Sequence, residues 1–218
     1  MLEILYQDDF ICVVNKPSGY VVHRTAGAEK APVLVQSLRD QVGKKVYPVH
    51  RLDRATSGCV AFAFDSDSAR LLQTALSQGK KKYYALCLGN TEEHMRIDRP
   101  LKNENKIPQA ALSEFKKLES LGEYSLLEAQ IFTGRKHQIR RHLSHLGHHV
   151  VGDVNHGKGW LNRRFREKYN FHRMFLHAHL LEFEHPVYMK SLNVSAAMPS
   201  EFEHLISKIR DDIPSVDN

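Results

Sequence analysis

One stretch of the chain decides its fold: His50-Arg51-Leu52-Asp53-Arg54-Ala55-Thr56-Ser57-Gly58. It places one carboxylate between two guanidinium groups, where a turn joins two apolar runs. Positive charges within roughly 4–6 Å favour the ionised form of a carboxyl group, so we expect Asp53 to be an anion suited to act as a nucleophile or a base. A plain arginine–aspartate salt bridge that caps a turn fits these nine residues equally well.

Hydrophobic spacing predicts the strands and helices on either side of this turn. The predicted strands cover residues 2–6, 10–14, 46–49, 59–64, 83–88, 113–118, 124–132, 181–184 and 191–196. The predicted helices cover residues 33–42, 137–146 and 201–209, and a fourth runs from a cap at Asp65 or Ser66 through Leu76. Tight turns between successive strands favour a mainly antiparallel or mixed sheet, and therefore an α+β fold. A length of 218 residues suits one domain.

The charge of the chain is unevenly distributed along the sequence. The net charge is +6 and the isoelectric point about 9.2, which favours a polyanionic partner but also fits many basic enzymes. Between Arg135 and His149 there are four cations, five histidines and no acidic residue. More arginines follow at 163, 164 and 166. Such a stripe can bind phosphates, although a solvated basic face is the simpler alternative.

Cysteine usage and the N-terminus predict a cytoplasmic protein. Cys12, Cys59 and Cys87 each lie in an apolar run without a CxxC pair, so we expect buried free thiols in a reducing compartment. Residues 1–9 are acidic and begin a hairpin pattern, which is unlike a signal peptide. The most apolar runs are too short to cross a bilayer, so no membrane partner is expected.

Several segments together resemble the RluA-type pseudouridine synthases. The nine residues around Asp53 are similar to that family's HRLDxxTSG signature. Further landmarks lie before and after it, in the family's order, over residues 11 to 186. These landmarks are Asn15-Lys16-Pro17-Ser18-Gly19, Lys81-Lys82-Tyr83-Tyr84-Ala85, Thr133-Gly134-Arg135-Lys136-His137-Gln138-Ile139-Arg140, Val151-Gly152-Asp153 and Leu176-His177-Ala178.

The resemblance implies the pseudouridine synthase fold, a long bent mixed sheet with flanking helices and a central catalytic cleft. The family often carries a small RNA-binding domain before the catalytic one. Here the catalytic pattern begins at residue 2, so we expect a single catalytic domain over residues 1–218. The reaction needs no cofactor and no metal. We also expect a monomer with no obligate protein partner.

The resemblance also implies roles for individual side chains. Asp53 is the catalytic residue, which either attacks C1′ of the ribose or removes a proton from C2′. Tyr83 stacks on the uracil and helps to remove the C5 proton. Arg140 pairs with the catalytic Asp, and its alternative role is a phosphate contact. Arg51 fills the gap that the flipped uridine leaves. Independently of the resemblance, we expect Leu52 to point away from Arg51 and Asp53 and to anchor the turn in the core.

Further residues are expected to bind RNA. They are Arg54, Arg135, Lys136, His137, Gln138 and Arg141. The least patterned segments, residues 92–110 and 155–172, are predicted to be loops that face RNA. Histidines at 142, 145 and 149 have helical spacing, but a zinc site is disfavoured because the helix is expected to end at Gly147 and no cysteine lies nearby. A serine hydrolase built on Ser57 is disfavoured because no GxSxG elbow surrounds it.

Within the family, the segments around Gly134 and Gly152 are most similar to the tRNA pseudouridine synthase C branch. That branch implies tRNA as the partner and uridine 65, at the junction of the T stem and the acceptor stem, as the target. Ribosomal RNA is the alternative substrate. A non-catalytic RNA-binding protein and a base-excising glycosylase are the alternative functions.

Overall fold

The computed structural model describes residues 1–24 and 29–214. The chain divides into two compact units. The first contains Met1–Lys82 and His177–Ala197, and the second contains Tyr83–Leu176 and Met198–Asn218. The prediction of a single catalytic domain stays a prediction.

The described residues form twelve strands and five helices. The strands are β1 (Glu3–Gln7), β2 (Ile11–Lys16), β3 (Tyr47–Pro48), β4 (Ser57–Ala63), β5 (Lys80–Leu88), β6 (His94–Asp98), β7 (Leu101–Lys102), β8 (Pro108–Gln109), β9 (Leu112–Leu121), β10 (Tyr124–Ile131), β11 (Leu176–Glu184) and β12 (Ser191–Ser195). The helices are α1 (Leu34–Val42), α2 (Ser66–Gln78), α3 (Gln138–His145), α4 (Gly159–Tyr169) and α5 (Ser200–Asp211).

Strands of the first unit pair in the order β1-β2-β4-β11, with β3 on β4 and β12 on β11. All of these pairs are antiparallel except β4 with β11, which are parallel. Every residue of β4 is buried, as its continuous apolar sequence predicts for a strand covered on both faces. The helix α2 begins where the Asp65 side chain accepts a hydrogen bond from the Ser68 backbone N–H, and it buries Leu72 and Leu76 in the same core.

Strands of the second unit pair in the order β5-β10-β9-β6, and β7 and β8 form a separate two-stranded ribbon. The pairs β9 with β10 and β6 with β9 are antiparallel. The core of this unit is aromatic. Phe165 of α4 and Phe202 of α5 belong to it with Phe175, whose ring stacks on that of Phe202 with 3.7 Å between centroids. Burial of these large rings is the main stabilising contribution of the two helices.

The prediction that two segments are loops is wrong. Residues 92–110 contain β6, β7 and β8, and residues 155–172 contain the helix α4. The buried residues Leu161, Phe165 and Tyr169 recur every four positions, which is the spacing of a helix that packs on a core. The pattern has only three hydrophobic members, and the residues between them are mostly charged. The helix was therefore not predicted from the sequence.

The α+β fold class with a mixed, mostly antiparallel sheet is confirmed. The three cysteines are buried free thiols, as expected, and burial raises the pKa of each to about 12. No helix in the described part of the chain is long and apolar enough to cross a membrane.

Candidate active site

Asp53 lies in a tight turn that joins β3 to β4. Its backbone carbonyl accepts a hydrogen bond of 3.1 Å from the N–H of Thr56, which closes the turn. The side chain of Asp53 is half-buried, while those of Arg51 and Arg54 are exposed. Leu52 is buried, which confirms the prediction that it anchors the turn.

A second turn of the first unit holds the backbone that follows Asp53. The Lys16 ammonium is fully buried and donates to the carbonyl oxygens of Arg54 at 3.3 Å, Tyr20 at 2.9 Å and Pro17 at 3.0 Å. The backbone N–H of Gly19 donates to the same Arg54 carbonyl at 2.8 Å. The two bonds to Arg54 fix the carbonyl that follows Asp53, so the position of the carboxylate does not depend on its own contacts alone. The sequence marked residues 15–19 as a landmark but gave Lys16 no role.

The end of the turn is held by a buried pair of side chains. Ser57 Oγ and His177 Nδ1 are 2.8 Å apart, and both residues are buried. The next residue, Gly58, has φ +112°, and a Cβ there would lie 2.2 Å from the carbonyl oxygen of Ala178. Only glycine therefore permits β4 to lie this close to β11. Burial of the Ser57–His177 pair counts against the hydrolase alternative, because no substrate can reach the hydroxyl.

His50 connects the start of the turn to β4. Its Nε2 accepts a hydrogen bond of 2.9 Å from the backbone N–H of Ala61. Burial, with a smaller contribution from the charge of Lys81, lowers the pKa of His50 to about 4. The imidazole is thus neutral near pH 7, which is the form that can accept this hydrogen bond.

Arg140, on α3 in the second unit, is buried against Asp153. Its Nε and Nη2 each donate to a carboxylate oxygen of Asp153 at 2.7 Å, which is a bidentate ion pair. Burial alone would raise the pKa of Asp153, but the Arg140 guanidinium and the backbone N–H groups of Asn155 and His156 outweigh it and hold that pKa below its usual range. The resemblance implied Asp53 as the partner of Arg140, and it gave no role to Asp153.

Tyr83 is buried on β5, and the neighbouring Tyr84 is half-buried. Successive side chains of a strand point to opposite faces, so the two rings lie on different sides of β5. Tyr83 and Arg140 belong to the second unit, and Asp53 belongs to the first.

The predicted RNA-binding side chains in the segment 133–141 differ in how far they are exposed to solvent. Gln138 is buried, and its side-chain amide bonds to Thr133 Oγ1, the backbone N–H of Arg135, the Leu112 carbonyl and Ser113 Oγ, so it holds the turn before α3. Lys136 is exposed, and Arg135, His137 and Arg141 are half-buried.

These partly exposed residues contact the segment of residues 102–110 and His156. Lys136 pairs with Glu104 at 2.7 Å, Arg135 donates to the Ala110 carbonyl, and Arg141 donates to the Lys102 carbonyl. His137 has φ +56° at the start of α3, and its Nδ1 is 2.9 Å from Nε2 of His156.

His142, which the zinc alternative used, has both ring nitrogens in hydrogen bonds. Nδ1 is 3.0 Å from Ser113 Oγ, and Nε2 is 3.0 Å from the carbonyl oxygen of Arg99. A histidine whose two nitrogens are both bonded to protein has no lone pair left for a metal.

Comparison with known proteins identifies the family. The profile described as RNA pseudouridylate synthase matches residues 10–145. The chain belongs to this family. The matched range includes the Asp53 turn, β5 and α3, and the enzymes of the family are isomerases that convert uridine in RNA to pseudouridine.

Curated relatives and solved structures agree with the family. The chain is 38% identical to the tRNA pseudouridine synthase C of Vibrio cholerae serotype O1, over 95% of this chain and 96% of that protein. It is 39% identical to the tRNA pseudouridine synthase C of Haemophilus ducreyi, over 95% of each chain. The structure of human RNA Pseudouridylate Synthase Domain Containing 4 superposes with a TM-score of 0.75 and 26% identity, covering 95% of this chain and 93% of that one.

Proposed function

We propose that this pseudouridine synthase isomerises a uridine of tRNA, and that its target is uridine 65, at the junction of the T stem and the acceptor stem. The observation that carries the proposal is the similarity to relatives named tRNA pseudouridine synthase C, which extends over nearly the whole length of both chains. Ribosomal RNA is the second candidate substrate. We further propose that the chain acts as a single catalytic domain, as a monomer and in the cytoplasm.

In the proposed reaction Asp53 acts at the ribose of the target uridine. The bond from C1′ to N1 breaks, the uracil turns, and C5 forms a new bond to C1′ while its proton leaves and N1 gains one. Asp53 either attacks C1′ and is released when C5 bonds, or takes the C2′ proton and returns it. No electrons enter or leave the substrate, so the chemistry needs no redox carrier. Lys16 and the Gly19 backbone N–H donate hydrogen bonds to the Arg54 carbonyl. These bonds support the proposal, because they hold the backbone next to Asp53 in place.

Base flipping is part of the same proposal. A uridine in folded RNA must leave the stack before a carboxylate can reach C1′, which costs a few kcal/mol. We assign Arg51 to the gap that remains, since its exposed guanidinium is planar and stacks on bases. Tyr83 is proposed to stack on the flipped uracil and to assist removal of the C5 proton.

Arg140 is proposed to support the reaction from a fixed position. The bidentate pair with Asp153 orients the guanidinium and neutralises part of its charge in a buried place. Among the other predicted residues, Arg54, Arg135, Lys136, His137 and Arg141 are at least partly exposed and are proposed to contact RNA. Gln138 is proposed to act indirectly, by holding the turn that presents its exposed neighbours.

The test is to map pseudouridine in total RNA from cells with and without the gene, and then to add purified protein to the RNA from the deleted strain. We expect one tRNA position to lose its pseudouridine on deletion and to regain it on addition. A site that disappears from ribosomal RNA would replace the proposed substrate. Release of free uracil would indicate a glycosylase instead of an isomerase.

A further inference from the structure

The helix α4 has a buried side and an outer side of opposite character. Leu161, Phe165 and Tyr169 face the core of the second unit. The outer side is exposed and carries one aromatic ring and several cations. We define the α4 outer face by Lys158, Trp160, Arg163 and Arg166, all of which are exposed.

Two other cations of this helix are already paired. Arg164 forms an ion pair with Glu123 and donates to the Tyr124 hydroxyl, and Lys168 pairs with Asp212 at 2.9 Å. By contrast, Lys158, Arg163 and Arg166 have no ion-pair partner among the described residues, 1–24 and 29–214. The positive charge of the α4 outer face is therefore available to an external anion.

Trp160 is half exposed and is the single tryptophan of the chain. The Arg164 guanidinium carbon lies 5.2 Å from the centroid of its ring. A large half-exposed ring on the same helix as the unpaired Arg163 and Arg166 is a combination suited to nucleic acid, because the ring can stack on a base and the guanidinium groups can bind phosphates.

The helix is fixed to the turn that holds Arg140. The side chain of Asn162, in the first turn of α4, donates to the Asp153 carbonyl at 2.8 Å and accepts from the Gly152 backbone N–H at 2.9 Å. The carboxylate of Asp153 in turn holds Arg140. A partner bound to the α4 outer face is thus held at a fixed distance from Arg140.

We propose that the α4 outer face is an accessory binding surface for the substrate RNA. Arg163, Arg166 and Lys158 bind its phosphates, and Trp160 stacks on a base that is exposed at a loop or a helix end. The proposal rests on the RNA-modifying function of the family and deepens it by naming a surface outside the catalytic residues. It is not required for the chemical step, so its failure and that of the proposed catalytic residues can be told apart.

The first experiment removes the unpaired charges with the double variant Arg163→Gln/Arg166→Gln. We expect KM for the tRNA to rise about tenfold with kcat unchanged, and the dependence of log affinity on log salt to become shallower by about one to two. The matched control is Lys168→Gln/Arg210→Gln, which removes the same charge from two exposed but paired cations and should change KM less than twofold. An equal rise of KM in both double variants would overturn the proposal, since only overall charge would then matter.

The second experiment uses the emission of the single tryptophan. Titration of the wild-type protein with a tRNA transcript should quench Trp160 fluorescence at the concentration that saturates activity, and Arg163→Gln/Arg166→Gln should shift that concentration upwards. Unchanged emission at saturating tRNA would overturn the proposal, as would a response to anionic vesicles or polyglutamate without one to tRNA. This titration reports RNA binding even if no uridine is isomerised.

The charge of Glu167 gives a test in the opposite direction. It is the one acidic residue of α4 and is exposed among the cations. Glu167→Gln should lower KM about twofold, because repulsion between its carboxylate and RNA phosphates is removed. A higher KM in this variant would contradict the proposal.

Discussion

At the scale of single residues, the backbone around Asp53 is more tightly held than its exposed neighbours suggest. The carbonyls of three successive residues, Asp53, Arg54 and Ala55, accept hydrogen bonds from Thr56, Gly19 and the Ser18 hydroxyl respectively. The sequence predicted the turn and its carboxylate, because both follow from local residue types. It did not predict the donors Gly19 and Ser18, since both lie in a segment about 35 residues away along the chain.

His50 gives a prediction about pH. Its pKa is lowered from 6.5 to about 4 in the folded protein, so the unfolded chain takes up a proton between these values that the folded chain does not. The stability that neutral His50 contributes is complete above pH 6.5 and is lost as the pH falls towards 4, by at most about 3 kcal/mol. The free energy of unfolding should therefore fall more steeply for the wild type than for His50→Gln between pH 6.5 and 4.5, as measured with urea. Parallel pH profiles would contradict this.

The ion pair of Arg140 and Asp153 gives a prediction about stability. Asp153→Asn removes the carboxylate from a buried bidentate ion pair, which should lower the free energy of unfolding by about 3 kcal/mol. The comparison is Glu119→Gln, which breaks the exposed pair with Arg210 and should cost less than about 1 kcal/mol. Urea denaturation of both variants measures the difference. Similar costs would show that burial of the Arg140 pair contributes little.

At the scale of elements, two glycines near the Asp53 turn are needed for different reasons. Gly58 and Gly19 both have positive φ, at +112° and +92°. A Cβ at Gly58 would collide with the Ala178 backbone, whereas one at Gly19 would meet nothing within 4 Å. A side chain at Gly19 therefore destabilises the fold only through the positive φ, whereas one at Gly58 also collides with neighbouring backbone.

Alanine at each position tests this difference. Gly19→Ala should cost about 1–2 kcal/mol of stability, because only the left-handed conformation is penalised. Gly58→Ala should cost more, because β4 must also move away from β11, and its near-ultraviolet circular dichroism should change. The measurement is thermal unfolding of both variants followed by two optical probes. Equal costs would mean that the parallel pair of β4 and β11 tolerates a methyl group.

Helix α4 shows where prediction of elements from sequence failed. Its buried hydrophobic residues, Leu161, Phe165 and Tyr169, are separated by polar and charged ones, so the apolar pattern is short and weak. The strand β4 was predicted because the apolar run over residues 59–64 is continuous. In β11 the prediction began at residue 181 and missed the first five residues, which contain two histidines whose polarity hid the strand.

At the scale of the whole molecule, the order of short landmarks along the chain carried the prediction of fold and family. These landmarks include turns where the backbone has a positive φ, at Gly19, Gly58 and Gly152. Because such turns favour glycine, they can be recognised from the sequence. The hydrogen bonds that join one landmark to another, from Lys16 to the Arg54 carbonyl and between Ser57 and His177, connect residues 38 and 120 positions apart, and nothing in residue type alone pairs them. The roles of Asp53, Tyr83 and Arg140 remain proposals for the same reason.

The most direct test of the account is the substitution Asp53→Asn, which removes a charge with little change of shape. Tritium release from tRNA labelled at uridine C5 should fall below detection in this variant, while its affinity for the tRNA stays within about twofold of wild type. Asp9→Asn, which neutralises an exposed carboxylate between β1 and β2, should leave both quantities unchanged. Tritium release by Asp53→Asn at the wild-type rate would contradict the central claim that this carboxylate performs the reaction.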